Sequence, residues 1–486
     1  MNTYDPKKPS RAYINGVWVN ARSNQVFEVQ DPATSERIAL VPDMHDEDAK
    51  LAVEAATKAF RTWKTTTAKE RSDILRKWYN LLMQNQQELA RVITLEAGKP
   101  LKESVTEVSY GNSFVEWFAE ESRRCYGETI PSPDKTKELL AIRQPIGVIG
   151  IITPWNFPHA MITRKVAAAL AAGCTCVVKP AEDTPLTALA LAALAEKAGV
   201  PKGVLNVITC ARPNAAAIGK LLCESPHVAG ISFTGSTAVG KLLYQQCALG
   251  VKRVSLELGG NAPFIVFPSA NLDQAVQMAM ASKFRNCGQA CISANRFLIH
   301  ETVFDDFVCR MKQRVQSVVV ADGKKEGADV GPLINVSQTA KVERLVQDAV
   351  SKGASLVTGG SRARDLGELF YQPTILTNVT PQMEIYAEEI FGPVVMCIKF
   401  RSEDEALEIA NETKRGLAGY FFTSDIPQAW RVAKGLEVGM VGINEGLISN
   451  AESPFGGIKE SGIGREGSRH GLDEYTFIKY LCFGNL

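Results

Sequence analysis

Ile146-Gly-Val-Ile-Gly-Ile-Ile-Thr153, then Pro154-Trp-Asn-Phe-Pro158 and the Ala-rich run from Ile162 to Ala172, is the stretch that decides the fold. The first run is apolar and uncharged, which suits a strand covered on both faces, and the last has the length and composition of a buried helix. The same alternation continues with a strand at Cys174 to Lys179, a helix at Leu186 to Ala198 closed by Gly199, and strands at Leu205 to Thr209 and Gly230 to Thr234. Strand and helix in turn predict an α/β fold, a parallel sheet with helices on both faces in the doubly wound, Rossmann-like arrangement that binds nucleotides.

Outward from that core, residues 11 to 40 alternate apolar and polar positions around Asn15-Gly16 and Asp31-Pro32, which reads as a hairpin and an extended arm. Asp46 to Lys64, Ala68 to Gly98 and Leu101 to Ser122 carry the helical period, with Leu75, Trp78, Leu81, Leu82 and Leu89 on one stripe. A second α/β alternation runs from Val254 to about Asn450, with strands near 263–267, 296–300, 356–358, 394–400, 418–423 and 440–444. The tail from Tyr475 to Phe483 alternates again, as a strand added to a neighbour's sheet would. The expected organisation is a cofactor domain at 1–123 and 142–255, a catalytic domain at 256–450, a small β oligomerisation arm at 124–141 and 470–486, and a return to the cofactor domain at 451–469.

A formal net charge of +1 gives no electrostatic reason for a nucleic-acid partner or a membrane surface, so a small molecule is the expected ligand. Eleven cysteines, without a CxxC pair or a histidine cluster, suggest neither a disulfide framework nor a metal site and point to a reducing compartment. The apolar runs fall short of the ~20 residues that cross a bilayer. Met1 to Lys8 has neither a secretory core nor an amphipathic presequence, which makes the cytoplasm the expectation, although a processed mitochondrial matrix protein would read the same.

The chemistry concentrates in Phe284-Arg-Asn-Cys-Gly-Gln-Ala-Cys291 and Leu256-Glu-Leu-Gly-Gly260. A cysteine just past a Gly-Gln turn can lie open at the floor of a cleft, and a glutamate on a nearby Gly-Gly turn can face it as a base. Cys291 would attack an aldehyde, leaving a thioester once hydride departs, and Glu257 would activate the water that hydrolyses it. Asn156, held between prolines on a stiff turn, offers an amide to the tetrahedral oxyanion; the plain alternative is an asparagine that only bonds its own turn. Lys179 at a strand end and Glu182 beyond it can bond the adenosine ribose, and a carboxylate there repels a 2′-phosphate, which predicts NAD over NADP. Arg164 and Arg285, with Ser449 near the same mouth, match a carboxylate on the substrate; the alternative for either arginine is an internal ion pair.

These motifs, from Tyr13-Ile-Asn-Gly16 to Pro454-Phe-Gly-Gly-Ile-Lys-Glu-Ser-Gly-Ile-Gly-Arg-Glu466, resemble the aldehyde dehydrogenase superfamily over nearly the whole chain. The resemblance implies cofactor contacts at Thr153, Pro154, Trp155, Gly235, Ser236, Glu389 and Phe391, with the backbone amide of Cys291 as second oxyanion donor. Arg164, Arg285 and Ser449 resemble the succinate-semialdehyde branch, which implies succinate semialdehyde as substrate; another ω-carboxy aldehyde such as glutarate semialdehyde is the alternative. The resemblance also implies a homotetramer built as a dimer of dimers through the 124–141 segment and the C-terminal strand. Many members have a second cysteine two residues after the nucleophile; here Ser293 stands there, and Cys287, the nearest other thiol, is expected to pack rather than to pair.

Overall fold

A computed structural model describes residues 10–485; Met1 to Lys8, read above for targeting, lie outside them. Two large sheets organise the chain. The first has eight strands, in the order Val17–Val19, Ala12–Ile14, Leu205–Val207, Thr175–Lys179, Val148–Ile152, Val228–Thr234, Arg253–Glu257 and Gly462–Ile463. Its five central strands are parallel and the two flanking pairings antiparallel. Helices Ala160–Ala172 and Pro185–Ala198 cover it with residues buried almost throughout, as their alanine-rich sequences require. Each ends on a left-handed glycine, Gly173 or Gly199, which caps the last carbonyls.

From Val148–Ile152 the chain builds outward to one side through Thr175–Lys179 and Leu205–Val207. It then returns to build the other side from Val228–Thr234. The strand order therefore reverses between Val148–Ile152 and Val228–Thr234, and ligands bind beyond the carboxyl ends of strands at such a point.

The second sheet has seven strands, in the order Ser355–Thr358, Thr374–Thr377, Val394–Phe400, Arg296–His300, Pro263–Val266, Ala418–Phe422 and Met440–Ile443. The carboxyl edge of the first sheet meets the starts of Pro263–Val266 and Arg296–His300, so the loops 153–158, 257–262 and 285–295 converge between the sheets. A third sheet pairs Thr476–Gly484 with Lys137–Pro145 over nine residue pairs, with Glu128–Ile130 on the other edge.

Three expectations need correction. Arg253–Glu257, placed above at the head of the second alternation, is hydrogen-bonded in the first sheet between Val228–Thr234 and Gly462–Ile463, so Leu256 and Glu257 fall on the cofactor side of the 255/256 boundary. The arm strand does not stop at 141 but runs to Pro145, because its partner Thr476–Gly484 stays in register that far. The strand Thr374–Thr377 was not anticipated; four residues with threonine at both ends carry too short a pattern to read. Among the described residues, no helix is long and apolar enough to cross a membrane.

Candidate active site

Cys291 sits on a strained loop. Asn286, Cys287 and Gly288 are consecutive left-handed residues, at φ +52°, +56° and +74°, a conformation that glycine and asparagine tolerate but cysteine adopts only when the surroundings enforce it. The enforcement is visible. Asn286 Nδ2 donates to the Asn156 carbonyl at 2.8 Å and to the Gln289 carbonyl at 3.1 Å, its amide N–H donates to Glu103 at 2.8 Å, and Gln289 Oε1 accepts from the Ile334 amide at 3.0 Å. Cys287 is buried among apolar side chains, and burial pushes its thiol up, in keeping with the packing role expected of it.

Asn156 is tied into the same network. Its Nδ2 donates to the Gln289 carbonyl at 3.1 Å, and its own carbonyl accepts from the buried Lys99 ammonium at 3.0 Å. A primary amide has two N–H groups, so one fixes the plane and the second remains to be directed into the cleft beside Cys291. This sets aside the plain alternative of an asparagine that only bonds its own turn, since the partner is the nucleophile loop.

Gly259 and Gly260 bring the end of the first sheet against that loop. A Cβ on Gly260 would lie 2.5 Å from the Cys291 carbonyl oxygen, a backbone approach that only glycine permits, and one on Gly259 would lie 2.6 Å from Glu389 Oε2 and push that carboxylate from its place. Glu257, two residues before Gly259, is 1% exposed, and neither carboxylate oxygen has a hydrogen-bond partner among the described residues. Burial and the nearby Glu466 charge hold its carboxyl well above the ordinary range. Its Oε1 lies close to Gly456, and Glu257 shares its surroundings with Glu466, Arg164 and Lys165, while its charge also acts on the Cys291 thiol.

Two cavities meet at the thiol. The first is a cleft of about 400 Å³ at the switch point of the first sheet, lined by Trp155, Glu182, Ser236, Glu389, Phe391 and Cys291 among others. The buried hydroxyls of Thr153 and Thr234, at the ends of the two strands that flank the switch point, have no partner, which suits a polar ligand lying across them. Phe391, itself left-handed at φ +56°, meets Trp155 edge-on with ring centroids 5.6 Å apart. Glu389 accepts from the Gly260 amide at 2.9 Å and lies 3.6 Å from Arg415, so its carboxylate is fixed at the cleft wall.

Ser236 caps the helix Thr237–Ala248 by accepting from the Val239 amide at 3.4 Å. The Gly235 amide donates to the Glu257 carbonyl at 3.0 Å, so that N–H is spent within the sheet and the first-turn amides of the helix are the ones left for an anion. Lys179 is buried with its ammonium donating to the Pro180 carbonyl at 2.9 Å, and Glu182 lines the cleft.

The second cavity, about 10 Å³, is walled by Tyr110, Phe157, Arg164, Arg285, Ser449 and Cys291, with smaller contributions from neighbours. The structure thus brings both arginines and the serine to one small space beside the thiol. Arg285 has no ion-pair partner among the described residues and stacks on Phe157 at 4.9 Å. Arg164 differs from expectation. It is 1% exposed and paired with Glu466, which also pairs with Lys165, and it lies 4.5 Å over Phe455. The free guanidinium predicted there is therefore compensated from within the chain, yet its Nη2 is buried without a partner. Burial raises Glu466, but Arg164 and Lys165 outweigh it and hold that carboxyl below its usual range. Burial likewise pushes the Cys291 thiol up to about 12, with Arg164 and Arg285 opposing.

Sequence reasoning missed Glu466, Lys165 and Tyr110. Glu466 was quoted only as the end of a motif, and nothing local to it signals a partner 302 positions away; Lys165 follows Arg164 on an otherwise apolar helix, a visible but unread signal.

A family model for the aldehyde dehydrogenase family matches residues 18–481, and the chain belongs to that family. It is a nicotinamide-dependent aldehyde dehydrogenase. Mitochondrial succinate-semialdehyde dehydrogenase of Homo sapiens is 56% identical over 476 residues, covering 98% of this chain and 88% of that one. Among solved structures, succinate-semialdehyde dehydrogenase from Burkholderia pseudomallei superposes with a TM-score of 0.97 at 52% identity over 100% of both chains. An E. coli protein described as an NADP-dependent enzyme superposes with a TM-score of 0.96 at 50% identity over 98% of each.

Proposed function

We propose that this enzyme oxidises succinate semialdehyde to succinate with NAD. The observation that carries the proposal is that Cys291 is shared by the cofactor cleft and the small cavity holding Arg164, Arg285 and Ser449, so a bound aldehyde would have its carbonyl at the thiol and its far end at the guanidiniums. The names of the relatives agree with this reading.

The steps follow from the groups in place. Cys291 passes its proton to solvent water in the cleft, and the thiolate adds to the aldehyde carbon, giving a thiohemiacetal whose oxyanion meets the second N–H of Asn156 and the Cys291 amide. The nicotinamide cofactor, when bound, supplies the hydride acceptor. Trp155, Glu182, Ser236, Glu389 and Phe391 would hold it, with Thr153, Pro154 and Gly235 at the switch point and Lys179 supporting the ribose loop from within. A thioester to Cys291 remains. Glu257, ionised, removes a proton from water, whose oxygen attacks the thioester; the thiol leaves protonated and succinate departs.

Arg285 is the better test of the carboxylate reading, because Arg164 also neutralises Glu466. A hydrogen bond to a charged group contributes about 1.5–3 kcal/mol, so Arg285→Ala should raise KM for succinate semialdehyde roughly 10- to 100-fold and far more than KM for butanal. Equal effects on the two aldehydes in a kcat/KM series with and without a terminal carboxylate would remove the carboxylate clamp.

Glu182 and the neighbouring Asp183 place two carboxyls at the adenosine end, and burial followed by the Glu182 charge pushes Asp183 up to about 6. A 2′-phosphate would meet them, so kcat/KM should favour NAD over NADP by about tenfold or more, equivalent to about 1.4 kcal/mol. Equal or better turnover with NADP would show that Glu182 does not read the ribose, and would align this enzyme with its E. coli neighbour instead.

The tetramer belongs to the proposal too. Thr476–Gly484 exposes Ile478 and Tyr480, at 67% and 58%, on a strand whose outer edge is unpaired among the described residues, as a strand that pairs across subunits would be. The cytoplasm is the proposed compartment, in keeping with eleven free thiols.

A further inference from the structure

The cavity beside Cys291 and a much larger one outside it share three lining residues, Tyr110, Phe157 and Arg285. The outer cavity holds about 500 Å³, against about 10 Å³ for the inner one. Those three side chains are therefore a partition. Arg285 lies over the Phe157 ring at 4.9 Å, the Lys99 ammonium lies over the same ring at 4.0 Å, and Tyr110 packs edge-on to Phe114 at 5.1 Å. The Tyr110 hydroxyl is hydrogen-bonded to Ser449 Oγ, joining the helix Leu101–Glu121 to the loop after Met440–Ile443 across 339 positions of sequence.

The inner space is narrow, so a substrate arriving from the outer cavity passes the side chains of the partition as it approaches the thiol. The groups on the partition then decide what is admitted. Two hydroxyls bonded to each other have two protons, of which one is used between them, so one O–H is always left to donate to a third group. The donor already polarised by its neighbour is the stronger for it.

We propose that Tyr110 is a specificity-determining residue of this enzyme. Its ring stands between the inner and outer cavities and limits how long a chain fits beside the thiol, and its hydroxyl, paired with Ser449, presents one donor to the terminal carboxylate alongside Arg285. This deepens the reading given above and rests on it for the carboxylate, but the closure of the cavity by the ring stands apart from that reading.

Two variants separate these parts, each checked for wild-type melting and tetramer size. Tyr110→Phe keeps the ring and removes the donor; the ratio of kcat/KM for succinate semialdehyde to that for butanal should fall about tenfold, through KM. Tyr110→Ala removes the wall and joins the inner cavity to the outer; kcat/KM for adipate semialdehyde relative to succinate semialdehyde, and for octanal relative to butanal, should each rise at least tenfold. An unchanged carboxylate ratio in Tyr110→Phe overturns the donor role, and unchanged chain-length ratios in Tyr110→Ala overturn the partition. If the wild-type enzyme itself shows no preference for carboxylated aldehydes, the succinate semialdehyde reading fails and takes the donor role with it, while the octanal-to-butanal ratio still decides the partition.

Discussion

Glu257→Gln should turn steady turnover into one burst of reduced nicotinamide, close to one equivalent per subunit, followed by a rate lower by about 10²- to 10⁴-fold, the range general-base catalysis supplies. The reasoning starts from the carboxyl's surroundings. It is buried, lacks hydrogen-bond partners, and shares its pocket with the charged Glu466, so its acid form is favoured well above the ordinary carboxylate range. A base must be ionised to act, so thioester hydrolysis should accelerate as pH rises through that elevated pKa. Glutamine keeps the shape and neutral charge of the protonated side chain and so should leave the acylation burst intact. The glutamine variant should lose the pH dependence of the slow phase together with its rate. Stopped-flow absorbance of the nicotinamide product measures both phases; steady-state turnover within a few-fold of wild type, with no burst, would assign the base elsewhere.

Much of this site was legible because its parts are short and local. The apolar run at Ile146 to Thr153 and the Ala-rich helix after it have the burial their sequences demand, and Gly259-Gly260 is a pair for which the structure leaves no room for a side chain. Long-range charge is another matter. Arg164 reads the same whether its partner is a substrate carboxylate or Glu466, since an arginine's need for an anion does not say which anion will arrive. The left-handed Cys287 was equally hidden, because cysteine has no preference for that conformation and only the hydrogen bonds of Asn286 and Gln289 impose it. Leu256 and Glu257 were placed in the second half for a related reason: an apolar run fits either sheet, and the place of Arg253–Glu257 follows from its pairing with Val228–Thr234 and with the returning Gly462–Ile463.

Those same distant partners give the nucleophile its character. Cys291→Ala should cost turnover about 10⁴-fold or more, on the scale seen when a covalent nucleophile is deleted, with cofactor binding retained as followed by Trp155 fluorescence. A second readout tests the chemistry rather than the loss. Burial pushes the thiol up to about 12 in this structure, and although Arg164 and Arg285 favour the thiolate, Glu389 and Glu257 act against it. Only the thiolate alkylates, so without cofactor the rate at which iodoacetamide modifies Cys291 should climb about tenfold per pH unit and show no plateau below pH 9. The sign follows from the direction of the shift: a raised thiol pKa leaves a small reactive fraction at neutral pH that grows with each unit of base. Peptide mass mapping would place the label on Cys291 rather than on exposed Cys309 or Cys482. A plateau at or below pH 7 would mean that the guanidiniums already win over burial, and the site would then be primed before any ligand arrives.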